Sequence, residues 1–242
     1  MCTVSFIPQQ DKIFITHNRD ESSLRSRAIA PSTQVVNGYS LLFPKDSAAG
    51  GTWIAVNANG QAGVLLNGAF KKHQHLPPYR KSRGLVMLDI MAAEDILMSY
   101  KEMLLEGIEP FTVILWNGAQ LYECRWDGNE KHMKQLNAAL AHTWSSATLY
   151  DDAVLAKRDA WFQLWQQAHP MPNMNDIMKY HLTGGDGDIQ NNLRMNRNNQ
   201  MLTVSITAIE IYKQSATMKY IDLYDNVATE KQLLFTKAAA IQ

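Results

Sequence analysis

Residues 2–21 read CTVSFIPQQDKIFITHNRDE. Two short β-rich runs, residues 4–7 and 12–16, flank Gln9-Gln10-Asp11, which has the composition of a turn. The second run leads into four polar residues, Asn18-Arg19-Asp20-Glu21. If the two runs pair as a hairpin, residues 16–20 fold back beside Cys2. A thiol at the very start of the chain then meets a polar cluster carried on the neighbouring strand.

That placement has a chemical use. Methionine aminopeptidases act where the second residue is small, so removal of Met1 is expected to leave Cys2 with a free α-amino group. A thiol titrates near ~8.5 and an α-amine near ~7.7–8.0. The amine is therefore partly neutral at physiological pH and can take the thiol's proton. One residue supplies nucleophile and base, as threonine does in other N-terminal nucleophiles. The candidate catalytic set is Cys2, Asn18, Arg19, Asp20 and Asn67. Asp20 would hold the ammonium or orient the thiol. Arg19 would lower the thiol pKa or bind a substrate carboxylate, and Asn18 or Asn67 would donate to an oxyanion.

Further along, GGTWIAVNANGQAGVLLNGAF (residues 50–70) is the clearest hairpin signal, turning at Asn57-Ala58-Asn59-Gly60. Residues 111–116 and 120–126 flank Asn117-Gly118 as a second hairpin, and Asp127-Gly128 turns into residues 131–136. Residues 85–106 have helical spacing, read as two helices, and residues 151–168 and 175–182 give two more. Residues 201–212 and 217–224 read as two long final strands, and residues 22–32 as a loop. Antiparallel runs of strands with paired helices between them predict an α+β fold of stacked layers. No repeat, linker or low-complexity tract interrupts it, so one domain over residues 1–242 is expected.

Composition narrows the function. The 242 residues carry 23 basic and 23 acidic side chains, and this balance argues against a nucleic-acid or anionic-membrane partner. No apolar run approaches the roughly 18 residues of a membrane span, and the first residues lack the pattern of a signal peptide. Two cysteines, Cys2 and Cys124, do not make a disulfide framework. A reducing, cytoplasmic setting is expected. Nothing in the sequence sets the oligomeric state.

The stretches MC-T at the start, NRDE at 18–21, GGTW at 50–53 and LLNG at 65–68 resemble the NRDE family, also called the transport-and-Golgi-organisation-2 family. The resemblance implies an N-terminal-nucleophile hydrolase fold, two stacked antiparallel sheets between helical layers (αββα). Within that superfamily it implies kinship with cysteine amidases such as bile salt hydrolases, penicillin V acylases and acid ceramidase. Their Arg-Asn-x-Asp motif falls here on His17, Asn18, Arg19 and Asp20, with histidine where they have arginine. Their later catalytic asparagine would fall near Trp144-Ser145-Ser146, where none stands, and their late arginine at Arg194 or Arg197. His17, Trp53, Ser145 and Arg194 are accordingly taken as substrate-binding positions. The implied reaction is hydrolysis of a linear amide of a small acylated molecule through an acyl-thioester. The alternative is a carrier that kept the fold and lost the chemistry, binding haem or an acyl lipid.

Other motifs are given structural roles. Cys124 sits in a predicted strand and is read as a small buried hydrophobe. His73 and His75 lie among Lys71, Lys72, Arg80 and Lys81, a basic loop that repels cations but would attract an anionic substrate. Gly184 to Asp188 lacks the ligand spacing of an EF-hand. No metal or cofactor is expected from these motifs, covalent haem is excluded by the missing Cys-x-x-Cys-His, and non-covalent haem stays open.

Overall fold

The computed structural model describes residues 2–236. Along the chain run β1 (Cys2–Gln9), β2 (Lys12–Ser22), β3 (Ile29–Val36), β4 (Tyr39–Lys45), β5 (Ile54–Asn57), β6 (Ala62–Asn67), α1 (Arg83–Met91), α2 (Ile96–Glu102), β7 (Phe111–Trp116), β8 (Leu121–Trp126), β9 (Lys131–Leu136) and β10 (His142–Ser145). They are followed by α3 (Asp152–Ala168), α4 (Met174–Thr183), β11 (Asn196–Arg197), β12 (Met201–Tyr212), β13 (Ser215–Asp222) and β14 (Val227–Leu234). The strands form two antiparallel sheets. One has the order β10-β1-β2-β12-β13-β14 with β11 on β12; the other runs β3 to β9 in sequence order.

Strand alternation divides the side chains between layers. Cys2, Val4 and Phe6 of β1 and Ile13 and Ile15 of β2 enter the core between the sheets, with Ile54, Val56, Val64 and Ile114 opposite. Ile7 and Phe14 face the other way, onto Phe162 of α3 and Ile177 and Tyr180 of α4. The outer face of the second sheet is covered by α1 and α2, through Met87, Ile90, Met91 and Leu97. The result is the expected αββα layering.

The first hairpin forms as read, with Cys2 opposite Arg19, Thr3 opposite Asn18 and Val4 opposite His17. Strand β2 continues well past Thr16, because β12 pairs its other edge from Lys12 to Ser22 and satisfies its backbone. The NRDE residues are therefore strand residues. The Asn-Gly hairpins also form, with Gly60 and Gly118 at positive φ. Asp151 caps α3 by accepting from the Val154 N–H.

Besides the two-residue β11, three strands depart from expectation. Residues 29–36, inside and beyond the expected loop, form β3; β10 and β14 were not anticipated, so β13 is not the last strand. All three are edge strands. An edge buries less and needs less apolar patterning, and it tolerates proline, here Pro31.

Candidate active site

The GGTW stretch shows what holds the site open. A Cβ on Gly51 would lie 2.3 Å from the backbone carbon of Gly84, and the Thr52 N–H donates to the Gly84 carbonyl at 3.1 Å. Glycine at 51 thus lets the start of α1 seat against this loop. Ser82, Arg83 and Gly84 are carried to the mouth of the sheets, where a cavity of about 460 Å³ opens onto Cys2.

Of the residues expected from sequence, Cys2, Arg19, Asp20, Trp53 and Asn67 line this cavity. Cys2 is buried, its carbonyl accepting from the Ser146 N–H at 2.9 Å. Burial pushes its thiol pKa up, and the nearby Asp20 charge adds to that. Arg19 sits with its guanidinium carbon 4.3 Å from the Trp53 ring centroid and donates to Asp46 at 2.5 Å and to Glu21 at 3.4 Å. The Asn67 carbonyl accepts from Ser146 Oγ at 2.7 Å, tying the end of β6 to the strand beside Cys2.

Asp20 borders the cavity, but its carboxylate lies on the helical side. It accepts from Thr203 Oγ at 2.6 Å and from the Tyr150 hydroxyl at 3.1 Å. Burial raises its pKa, opposed chiefly by the Arg158 charge. Arg158, on α3, is itself buried. It donates to Thr3 Oγ1, to Ser145 Oγ at 3.3 Å and to the carbonyls of Asn191 and Asn192, and it stacks on Tyr150 at 3.7 Å. No motif in the sequence marked Arg158, Tyr150 or Thr203. An arginine in an amphipathic helix reads as a surface residue until the helix is docked.

Four expectations are corrected. Asn18 points away from the cavity, since it shares a face with Thr3 rather than Cys2. Its amide donates to the carbonyls of His181 and Leu193 at 2.9 and 2.8 Å, and its oxygen accepts from His181 Nδ1 at 2.7 Å. This leaves His181 Nε2 to accept from Ser5 Oγ at 2.8 Å. Burial, with help from Arg158, pushes His181 down to about 3, so the network is neutral. With every group engaged, Asn18 joins β2 to α4 and does not reach an oxyanion in the cavity. Ser145 lies on the same helical side, held by Arg158. Arg194 is exposed and does not line the cavity.

His17 is also outside the cavity. It is fully buried between the sheets, opposite Val4 and Thr207, and its ring makes no hydrogen bond of good geometry, the Leu65 backbone being the polar group that approaches it. Burial holds it neutral, far below its usual pKa. Replacing a buried, weakly paired polar group by an apolar one of similar volume is nearly neutral or favourable when its neighbour keeps other partners, as the Leu65 backbone does in its strand pairing. His17→Leu should leave stability unchanged or raise it by up to about 1 kcal/mol. A drop in melting temperature of several degrees would show instead that the ring is hydrogen-bonded.

Among the cavity residues absent from the sequence-derived site are Arg83 and Glu109. Arg83 donates to the Pro110 carbonyl at 3.2 Å and pairs with Glu109 at 3.0 Å. The other Glu109 oxygen contacts His73 at 3.0 Å and His75 at 3.1 Å, so this carboxylate fastens the basic loop beside the cavity. Among the described residues no three His, Cys, Asp or Glu side chains gather to hold a metal ion. Cys124 is sealed in the core of the second sheet, its thiol pushed up to about 12 by burial, as suits a packing residue. No helix among the described residues is long and apolar enough to cross a membrane.

Two stacked antiparallel sheets, each backed by helices, with a cysteine on a central strand of one, define an α+β protein of the N-terminal-nucleophile hydrolase fold. Solved structures share it. Two are of the conjugated bile acid hydrolase from Clostridium perfringens, with TM-scores of 0.61 and 0.59 at 12% identity. They cover 96% and 100% of this chain and 92% and 99% of theirs. A third is the Caenorhabditis elegans ortholog of N-acylethanolamine-hydrolyzing acid amidase, with a TM-score of 0.57 at 12% identity, covering 86% of this chain and 92% of its own. No curated protein matches the sequence. The chain belongs to the Transport and Golgi organisation 2 family, whose sequence model matches residues 1–232. This is the family that the NRDE, GGTW and LLNG stretches resemble.

Proposed function

We propose that this protein is a cysteine amidohydrolase acting on a linear amide of a small molecule, with Cys2 as an N-terminal nucleophile once Met1 is removed. Met1 lies outside the described residues. One observation carries the proposal: Cys2 lines a cavity of about 460 Å³ that is also walled by Arg19, Trp53, Asn67 and Arg83. The structural relatives named as hydrolases of conjugated bile acids and of N-acylethanolamines support the same class of bond.

In the proposed reaction the sulfur attacks the amide carbon as the thiol proton passes to the α-amine. A thiol whose pKa is raised by burial needs such a base close by. The tetrahedral intermediate collapses by breaking the C–N bond, and the leaving nitrogen takes the proton from the α-ammonium. Water then attacks the thioester, giving its proton to the α-amine. The sulfur leaves and is reprotonated, so acid, amine and free enzyme result. Asn67 is assigned to the oxyanion, Arg19 to substrate orientation, and Asp20 to the electrostatics of the amine.

A carrier of haem or an acyl lipid would want a largely apolar chamber. The cavity instead presents Arg19, Arg25, Lys81 and Arg83 with their carboxylate partners, which favours a small polar amide. The test is the mass of the protein during turnover of an activated amide. The chain should be one methionine lighter and should gain one acyl group on the peptide containing Cys2. Retention of Met1 in native protein, or an acyl group elsewhere, would refute the assignment.

A further inference from the structure

The cavity's hydrogen-bonding groups are unevenly used. Its carboxylates all have partners within the protein. Asp46 accepts from Arg19, from Arg25 twice, and from the backbone N–H groups of Ala48 and Ala49. Both oxygens of Glu109 are engaged, one by His73 and His75 and the other by Arg83. Both oxygens of Glu21 are engaged as well, by the Ser22 N–H and by Arg19.

The arginines are not saturated. A guanidinium offers five N–H donors. Arg19 uses Nη2 alone among the described residues, and Arg83 uses one donor on Nη1 and one on Nη2. Both side chains are largely buried, 7% and 17% exposed, and both line the cavity. Arg19 is further fixed by its contact with the Trp53 ring, and Arg83 by the Pro110 carbonyl. Two immobilised cations with surplus donors, among carboxylates already held by protein donors, call for a ligand that brings its own anionic oxygens. A planar two-oxygen group fits the guanidinium fork best.

We infer that the substrate carries a carboxylate besides the amide, and that Arg83, with Arg19, binds it beside Cys2. This rests on Cys2 being the reacting group of the cavity. The substrate class is then an N-acyl amino acid or the monoamide of a dicarboxylic acid. Basic residues of the 71–82 loop, which reach the cavity at Lys81, lie along its approach.

The test uses binding without chemistry. Full-length Cys2→Ala protein is titrated calorimetrically with N-acetylglycine and with N-acetylglycinamide, which differ by a carboxylate against a neutral amide. The carboxylate should bind at least about tenfold more tightly, since a charge-assisted contact is roughly twice as strong as a neutral one. Arg83→Gln should remove most of that preference, and Arg83→Lys, which keeps the charge and the Glu109 partner, should retain part of it. Equal affinities, no carboxylate binding at millimolar concentration, or a preference intact in both Arg83→Gln and Arg19→Gln would overturn the inference. Should Arg83→Gln fail to fold, Arg83→Lys and the unsubstituted cavity still decide it. Failure to trap a thioester would remove the amidase reading without altering these affinities, so the two failures are distinct.

Discussion

Arg158→Met is expected to destabilise the protein by about 3–5 kcal/mol, because several buried acceptors each lose a charged donor at roughly 1–3 kcal/mol apiece. Methionine fills much of the volume but supplies no donor. The carbonyls of Asn191 and Asn192 and the hydroxyls of Thr3 and Ser145 lose their shared partner. Asp20 stays buried without the charge that opposes its desolvation.

The loss should depend on pH with a definite sign. The folded pKa of Asp20 lies above the ordinary 3.8, so folding takes up a proton in the window between the two values. Its effect on stability is least unfavourable in acid and worsens as pH rises through the folded pKa. Removing Arg158 pushes that pKa higher still. The gap between the native protein and Arg158→Met should therefore be smallest below about pH 4 and widen toward neutrality. Urea unfolding near pH 5 and near pH 7.5 measures it. A loss under about 1 kcal/mol, or one equal at both pH values, would show that Arg158 is not coupled to Asp20. Asp20→Asn added to Arg158→Met should recover part of the loss at neutral pH, because it removes the stranded charge.

Cys2→Ala should lower kcat/KM on any amide substrate by on the order of 10⁴-fold or more, as removal of a covalent nucleophile does. The burst of acylation should vanish with it. Stability should change little, since a single buried sulfur is lost from a site bordering a cavity. Turnover within tenfold of the native rate would defeat the covalent mechanism. Cys124 provides the contrast, because its sealed thiol should resist alkylation at neutral pH under conditions that modify Cys2.

Much of the fold is legible in residue patterns. Asn117-Gly118 and Asn59-Gly60 announce hairpins because few other residues accept the backbone they require. The αββα arrangement itself came from the family resemblance, with the alternation of strands and helices in agreement. The strands β3, β10 and β14 were not legible, since edges draw their stability from one neighbour and need little apolar pattern.

The candidate site divides along the same physical line. The local sequence brought residues 16–20 back beside Cys2, because a hairpin's pairing follows from its own turn and alternation; the exact partner, Arg19, is seen in the structure. It also named Trp53 and Asn67, which line the cavity. It did not decide which of His17 and Arg19 shares the cavity with Cys2, and it set Asn18 to work there. Both sit in one strand within two residues of each other, and their environments depend on what packs against each face. Helix α4 claims Asn18, the opposite sheet buries His17, and the cavity receives Arg19. Arg158 and Arg83 come from helices far along the chain, and sequence separation hides such contacts altogether. Turns and alternation are local and can be read from neighbouring residues. Which side chains meet at a cavity is set by the docking of whole layers, and that was decided by the tertiary structure alone.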